Sequence, residues 1–150
     1  MRKIFILKGK SETGKTTKIN RTAEWIINNY GSSNTIGLDT SNYQIDTHGI
    51  LTIKNLTIGF NSSGDNEMEV KKTDNLNLPN GSRPDIIICA CRTKGKGRKY
   101  LNDHYNDANG WLQVFIDIKE YSKSDLSNQN LRDTKVLNEL QTWLIGLEKL

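Results

Sequence analysis

Residues 3–17 read KIFILKGKSETGKTT, and this stretch constrains the fold more than any other part of the chain. KIFIL, at 3–7, is a short continuous apolar run, the pattern of a strand buried on both faces. After residue 14 the period changes. Ile19, Ala23, Ile26, Ile27 and Tyr30 recur at intervals of four, three, one and three. That spacing predicts a helix over 14–30 with an apolar stripe, and Gly31 as its C-terminal cap. The segment between strand and helix fits G-x-x-x-x-G-K-[ST] from Gly9 to Thr16. Successive N–H groups of such a loop point inward and bind phosphate oxygens, and the helix N-terminus adds a favourable dipole.

The rest of the chain continues the alternation. TIGLD (35–39) predicts a second strand, and TSNYQIDTHG reads as a loop. ILTI and LTIGF, joined by Lys-Asn within 50–60, predict an antiparallel hairpin. NSSGDNE follows, with Asp65 as a candidate N-cap of a short helix. LNLPNGSRP is turn-rich and leads into DIIICAC, the most buried-looking strand. RTKGKGRK is a basic, glycine-containing loop, followed by a predicted helix over 99–108 and a strand, WLQVFIDI. The last helix is predicted from near Asn128, with Leu131, Val136, Leu137, Leu140, Trp143, Leu144 and Leu147 on roughly one face. Strands alternating with helices imply an α/β fold whose sheet is covered on both faces. The expectation is a mostly parallel sheet with one antiparallel hairpin. No internal repeat or linker divides the chain, so residues 1–150 read as a single domain.

Charge narrows the function classes little. The net charge of +4 over 150 residues admits anionic partners without requiring them. Cys89 and Cys91, one residue apart on a predicted strand, cannot form a disulfide framework and suit a reducing compartment. They read as small core residues, and Trp25 and Trp143 as core on helical stripes. His48 and His104 lie in polar surroundings without a triad pattern. The apolar run at the N-terminus is too short for a signal segment, and no run approaches a membrane span. A cytoplasmic protein with no membrane partner is expected.

With GKSETGKT preceded by a strand and followed by an amphipathic helix, the chain resembles the P-loop NTPase superfamily, specifically over 3–30. It also resembles small, poorly characterised bacterial and phage ATP-binding P-loop proteins. Those carry a hairpin, a GD-N turn and a later D-I-I-x-C-A-x-R strand, here SSGDN and DIIICACR. The resemblance implies a three-layer P-loop NTPase-like sandwich that binds ATP (or GTP) with Mg²⁺. Gly9, Lys10, Ser11, Glu12, Thr13, Gly14, Lys15, Thr16 and Thr17 would then surround the phosphates. Lys15 would reach the β- and γ-phosphates and the Thr16 hydroxyl would coordinate Mg²⁺. The resemblance does not supply a reaction.

Enzymes of that superfamily place a further acid near the metal, at the end of a buried strand. DIIICAC ends without one, and its acid, Asp85, stands at the wrong end. Asp39, ending TIGLD, would face the ligand crevice and orient an acceptor, or simply cap a turn. Asp65 is the candidate metal acid, with Asp39 as the alternative, or a helix cap. Around it the sequence resembles the D-x-x-G of small GTPases at Asn61 and Gly64, with an amide in place of the acid. Asp117 reads as an edge-strand or solvent-facing acid. SKSD (122–125) is similar to the guanine-reading N-K-x-D, with Ser122 in place of the asparagine.

Arg92, Lys94, Lys96, Arg98 and Lys99 follow the strongest strand. Arginine beside a transferring phosphoryl group accelerates transfer, and Gly95 and Gly97 would let the loop close. Arg92, immediately after the strand, is the best single candidate. The same charges have two other readings, a backbone-contacting patch for nucleic acid and a solvated charge run. The leading expectation is therefore a Mg²⁺-dependent nucleoside-triphosphate-binding protein that hydrolyses slowly. The alternatives are a kinase acting on a nucleotide or small metabolite, with Asp39 and Arg92 or Arg98 in catalytic roles, and a nucleotide-dependent switch.

Overall fold

The computed structural model describes residues 2–10, 13–30, 34–39, 41 and 46–148. KIFIL lies in β1 (Arg2–Lys8), and the stripe after it in α1 (Lys15–Tyr30). A three-residue strand follows, β2 (Asn34–Ile36), then β3 (His48–Ile53) and β4 (Leu56–Asn61). Next come α2 (Glu67–Lys71) with a 3₁₀ turn at Lys72–Asn75, β5 (Ile86–Cys91), α3 (Lys96–His104) with a 3₁₀ turn at Asp107–Asn109, β6 (Trp111–Asp117) and α4 (Leu126–Glu148).

The six strands form one sheet in the order β2-β3-β4-β5-β1-β6. β1 pairs in parallel with both β5 and β6, and β4 pairs in parallel with β5. The predicted hairpin is β3 and β4, antiparallel, with Ile53 opposite Leu56 across the Lys54-Asn55 turn. β2 adds a second antiparallel pairing at the edge.

Burial explains why the continuous apolar runs are central strands. In β1, Phe5 and Leu7 enter one core while Ile4 and Ile6 enter the other. The first core takes Ile19, Ala23 and Ile26 from α1 and Val136, Leu140 and Leu144 from α4. The second takes Val70 from α2 and Leu101 from α3. β5 is buried at all six positions, as a strand sandwiched between helices must be. Cys89 and Cys91 both face the second core. Burial pushes the Cys91 thiol up to about 11 and the Cys89 thiol well above its ordinary value. Among the described residues, no helix is long and apolar enough to cross a membrane.

Several boundaries differ from expectation. The strand expected over 35–39 ends at Ile36. The N-cap of α2 is Asn66, whose Oδ1 accepts from the Glu69 N–H at 2.9 Å, and not Asp65. The helix expected over 99–108 is α3, and it begins at Lys96, so half of the basic segment is helical. α4 begins at Leu126, where Asp125 accepts from the Asn128 N–H at 3.3 Å. Leu131 and Trp143 were expected on its packing face, but they are 54% and 39% exposed. The buried seam of this helix runs through Val136, Leu140 and Leu144 at intervals of four, which leaves Trp143 on its flank leaning on Phe5, with ring centroids 5.6 Å apart. Gly31, Ser11 and Glu12 lie outside the described residues, as does the side chain of Leu147.

Candidate functional site

The site is built where β1 hands over to α1. Lys15, the first residue of α1, is 7% exposed. Its ammonium donates to the carbonyls of Gly9 at 2.9 Å and Lys10 at 2.8 Å. The Thr13 hydroxyl donates to the same Lys10 carbonyl at 2.7 Å. Gly14 has φ +75°, a conformation that L side chains rarely adopt, and a Cβ there would stand 2.9 Å from the Lys18 Nζ. Burial lowers the Lys15 pKa, opposed by the negative charge of Asp65.

Thr16, one residue on, donates from Oγ1 to the Asp46 carboxylate at 3.2 Å. Asp46 lies in the segment read as a loop and was not singled out. The structure carries it in on the hairpin that starts at His48. Ser62, just past β4, donates to the same Asp46 oxygen at 3.2 Å and also accepts from the Thr47 N–H at 2.6 Å. Asn20, one turn along α1 from Thr16, donates to the Thr47 hydroxyl at 3.2 Å. Residues at i and i+4 share a helix face, so Thr16 and Asn20 together grip the 46–47 segment. The signal available in sequence was an acid at the entry to a recognised hairpin.

Thr13, Gly14, Lys15, Thr16, Thr17, Asp46, Ser62, Gly64 and Asp65 line one cavity of 210 Å³. Asp65 reaches it because Gly64 lies flat on the end of β5. A Cβ on Gly64 would fall 2.4 Å from the Ala90 carbonyl oxygen. On its other side Asp65 meets the Arg92 guanidinium at 3.8 Å. Gly64 and Asp65 also wall a second cavity of 450 Å³, with Asn66, Met68, Arg92, Lys94 and the first residues of α3, among them Lys96 and Arg98. Thus Lys15 and Thr16, Asp65, and Arg92 come together from three separate segments.

Other candidates are not brought in. Asp39 is exposed and accepts from the N–H and hydroxyl of Ser41 at 2.9 and 2.6 Å. Those bonds hold its carboxyl below the ordinary value. The strand it follows, β2, has β3, β4 and β5 between it and β1, so the capped turn is the reading that fits. Asn61 is fully buried and turned toward the other face, donating to the Thr73 hydroxyl at 3.0 Å. Asp117 is solvent-facing on the edge strand β6 and pairs with Lys8 at 3.1 Å. Asp125 caps α4. Lys10 points outward to Glu120 at 3.2 Å. His48 and His104 bond the carbonyls of Lys72 and Tyr100, at 3.0 Å each.

The donor set around Thr16 is hydroxyl and carboxylate oxygen alone. Hard divalent cations take oxygen ligands, and Mg²⁺ is held by one or two carboxylates plus substrate phosphates. The donors therefore fit Mg²⁺ bound together with an anion. Among the described residues no group of three or more His, Cys, Asp or Glu side chains converges as an all-protein metal cage. Comparison with protein-family models, curated proteins and solved structures finds no match for this chain.

Proposed function

We propose that the chain is a P-loop-type protein that binds a nucleoside triphosphate, ATP in the first instance, with Mg²⁺ and hydrolyses it slowly. The observation that carries this reading is the buried Lys15 beside a Thr16 hydroxyl already bonded to a carboxylate, all on one 210 Å³ cavity at a helix N-terminus. The N–H groups that open α1 have no intrahelical carbonyl to bond and are free for phosphate oxygens. Lys15 would bind the β- and γ-phosphates, while Thr16, Asp46 and Asp65 would hold the cation, with Ser62 orienting Asp46. Bound Mg²⁺ would neutralise charge on the phosphate oxygens. Asp65 and Arg92 would meet the γ-phosphate end, where hydrolysis breaks the bond to the β-phosphate oxygen and water supplies the new one.

Titration calorimetry with ATP–Mg²⁺ tests this. The expected result is saturable binding by the wild type and loss of binding in Lys15→Ala. Equal binding by both would overturn it.

A second reading, transfer of the γ-phosphate to a small anionic acceptor, is favoured by the adjoining 450 Å³ cavity with Arg92, Lys94, Lys96 and Arg98 on its wall. Labelled ATP screened against phosphorylated and carboxylated acceptors separates the two readings. Release of free phosphate with every acceptor excludes transfer.

A further inference from the structure

Lys18 is among the largest fully buried side chains, at 2% exposure, one turn into α1. An ammonium has three N–H donors, and all three have partners. Nζ donates to the Thr13 carbonyl at 2.7 Å, to the Gly14 carbonyl at 3.3 Å and to Asp133 Oδ1 at 2.8 Å. A buried charge needs such pairing, because its desolvation is otherwise uncompensated. Asp133 comes from α4 and also accepts from Arg132 Nε at 2.9 Å.

The geometry has a consequence for the loop. A trans peptide holds its C=O and N–H on opposite sides. The Gly14 carbonyl also accepts the helical bond from the Lys18 N–H at 3.0 Å, so the tie that rests on the side chain is the Thr13 carbonyl, and drawing it back to Lys18 leaves the Gly14 N–H pointing the other way. Thr13, Gly14 and Lys15 are also lining residues of the 210 Å³ cavity. Gly14 leaves the room that the ammonium occupies, since a Cβ would crowd Nζ at 2.9 Å.

We propose that Lys18 is a positioning residue: its side chain ties the Thr13 carbonyl to the rear of the loop, with Asp133 as countercharge, and so aims the Gly14 N–H at the bound phosphates. This rests on the nucleotide-binding reading of the same loop. Lys18→Met keeps the length of the side chain and removes the tie, while Asp133 keeps Arg132. Asp133→Asn keeps an oxygen acceptor and the tie but removes the countercharge.

Three readouts on the whole chain decide the matter: ATP–Mg²⁺ affinity by calorimetry, thermal stability, and the backbone ¹⁵N order parameter of Gly14 by NMR, with Lys15 as the internal reference. The loss of one charge-assisted anchor predicts affinity lower by about tenfold in Lys18→Met, with the Gly14 order parameter lowered. That of Lys15 should be kept, because the helical bond to the Gly14 carbonyl holds its peptide. Asp133→Asn should lose as much stability or more, yet bind within about threefold of wild type, because the tie remains. If affinity instead follows stability across the two variants, or the Gly14 order parameter in Lys18→Met is unchanged, the proposal is overturned. A wild type that binds no nucleotide refutes the functional reading, and the order-parameter comparison still decides whether Lys18 orders the loop.

Discussion

Two glycine-bearing, cation-rich segments follow neighbouring parallel strands, residues 9–18 after β1 and residues 92–99 after β5. They resemble each other in composition and differ in how their charges are held. Lys15 and Lys18 are buried, with their ammonium groups on the backbone carbonyls of Gly9, Lys10, Thr13 and Gly14. Arg92, Lys94, Lys96, Arg98 and Lys99 are all exposed. Their described contacts include Arg92 with Asp65, Lys99 with Asp103 at 2.8 Å, and Arg98 5.7 Å from the Phe115 ring. Exposed ion pairs are screened and contribute little, whereas a buried donor has its geometry fixed and its charge undiluted by water. Lys15 and Lys18 are held in place before a ligand arrives; the cations of the second segment stand exposed, where solvent screens their pairs.

Four measurements would break or sharpen this contrast. The largest effect belongs to Lys15→Ala, which should weaken ATP–Mg²⁺ binding by about 100-fold, as expected for a buried charged hydrogen-bond donor. Gly14→Ala comes next. The strained φ and the crowding of Lys18 should cost about 1–3 kcal/mol of stability, a fall of roughly 2–12 °C in Tm by calorimetry. Asp46→Asn should leave metal-free binding alone and remove about a tenfold gain on adding Mg²⁺, since an amide brings no charge to the cation. The smallest effect is Arg92→Ala, within about threefold in affinity as for other exposed charges, though a fall in hydrolysis rate would assign the arginine to the reacting phosphate. Equal losses from Lys15→Ala and Arg92→Ala would erase the distinction.

The pH dependence of binding adds a fifth test with a definite sign. Burial lowers the Lys15 pKa, and phosphate favours the charged ammonium. Affinity should be full below that lowered pKa and lost as pH rises through it, beginning beneath the ordinary lysine range. Titration calorimetry from neutral pH upward checks this; constant affinity up to the ordinary lysine range would contradict it.

Much of the framework was legible because it depends on local pattern. KIFIL and DIIICAC read as central strands since a strand buried on both faces must be apolar at successive positions. The hairpin was legible from two β-rich runs two residues apart, and α1 from its stripe. The misread points are those where two local readings compete. Asp65 and Asn66 are both good N-caps, and Asn66 takes the role while Asp65 faces Arg92. Trp143 fits a helical stripe, but it stands beside the buried seam of Val136, Leu140 and Leu144 on α4 and is left half covered. The basic segment reads as loop by composition, yet the approach of α3 to α2 draws Lys96, Gly97 and Arg98 into a helix.

Asp46 and Lys18 show where local reading stops. An acid in a turn-rich stretch and a lysine beside an apolar stripe carry no signature of their own. Asp46 matters because the hairpin and Asn20 bring it 3.2 Å from Thr16, thirty positions away in sequence. Lys18 is tolerated in the interior because Asp133 arrives from the last helix. By itself the sequence determined the β1–loop–α1 unit, the hairpin and the buried strands, all properties of period and turn chemistry within a few residues. Only the tertiary structure decided which carboxylate joins Thr16, which acid neutralises Lys18 and which cations share a cavity, because partners at long separation are selected by packing and by the cost of leaving a charge without one.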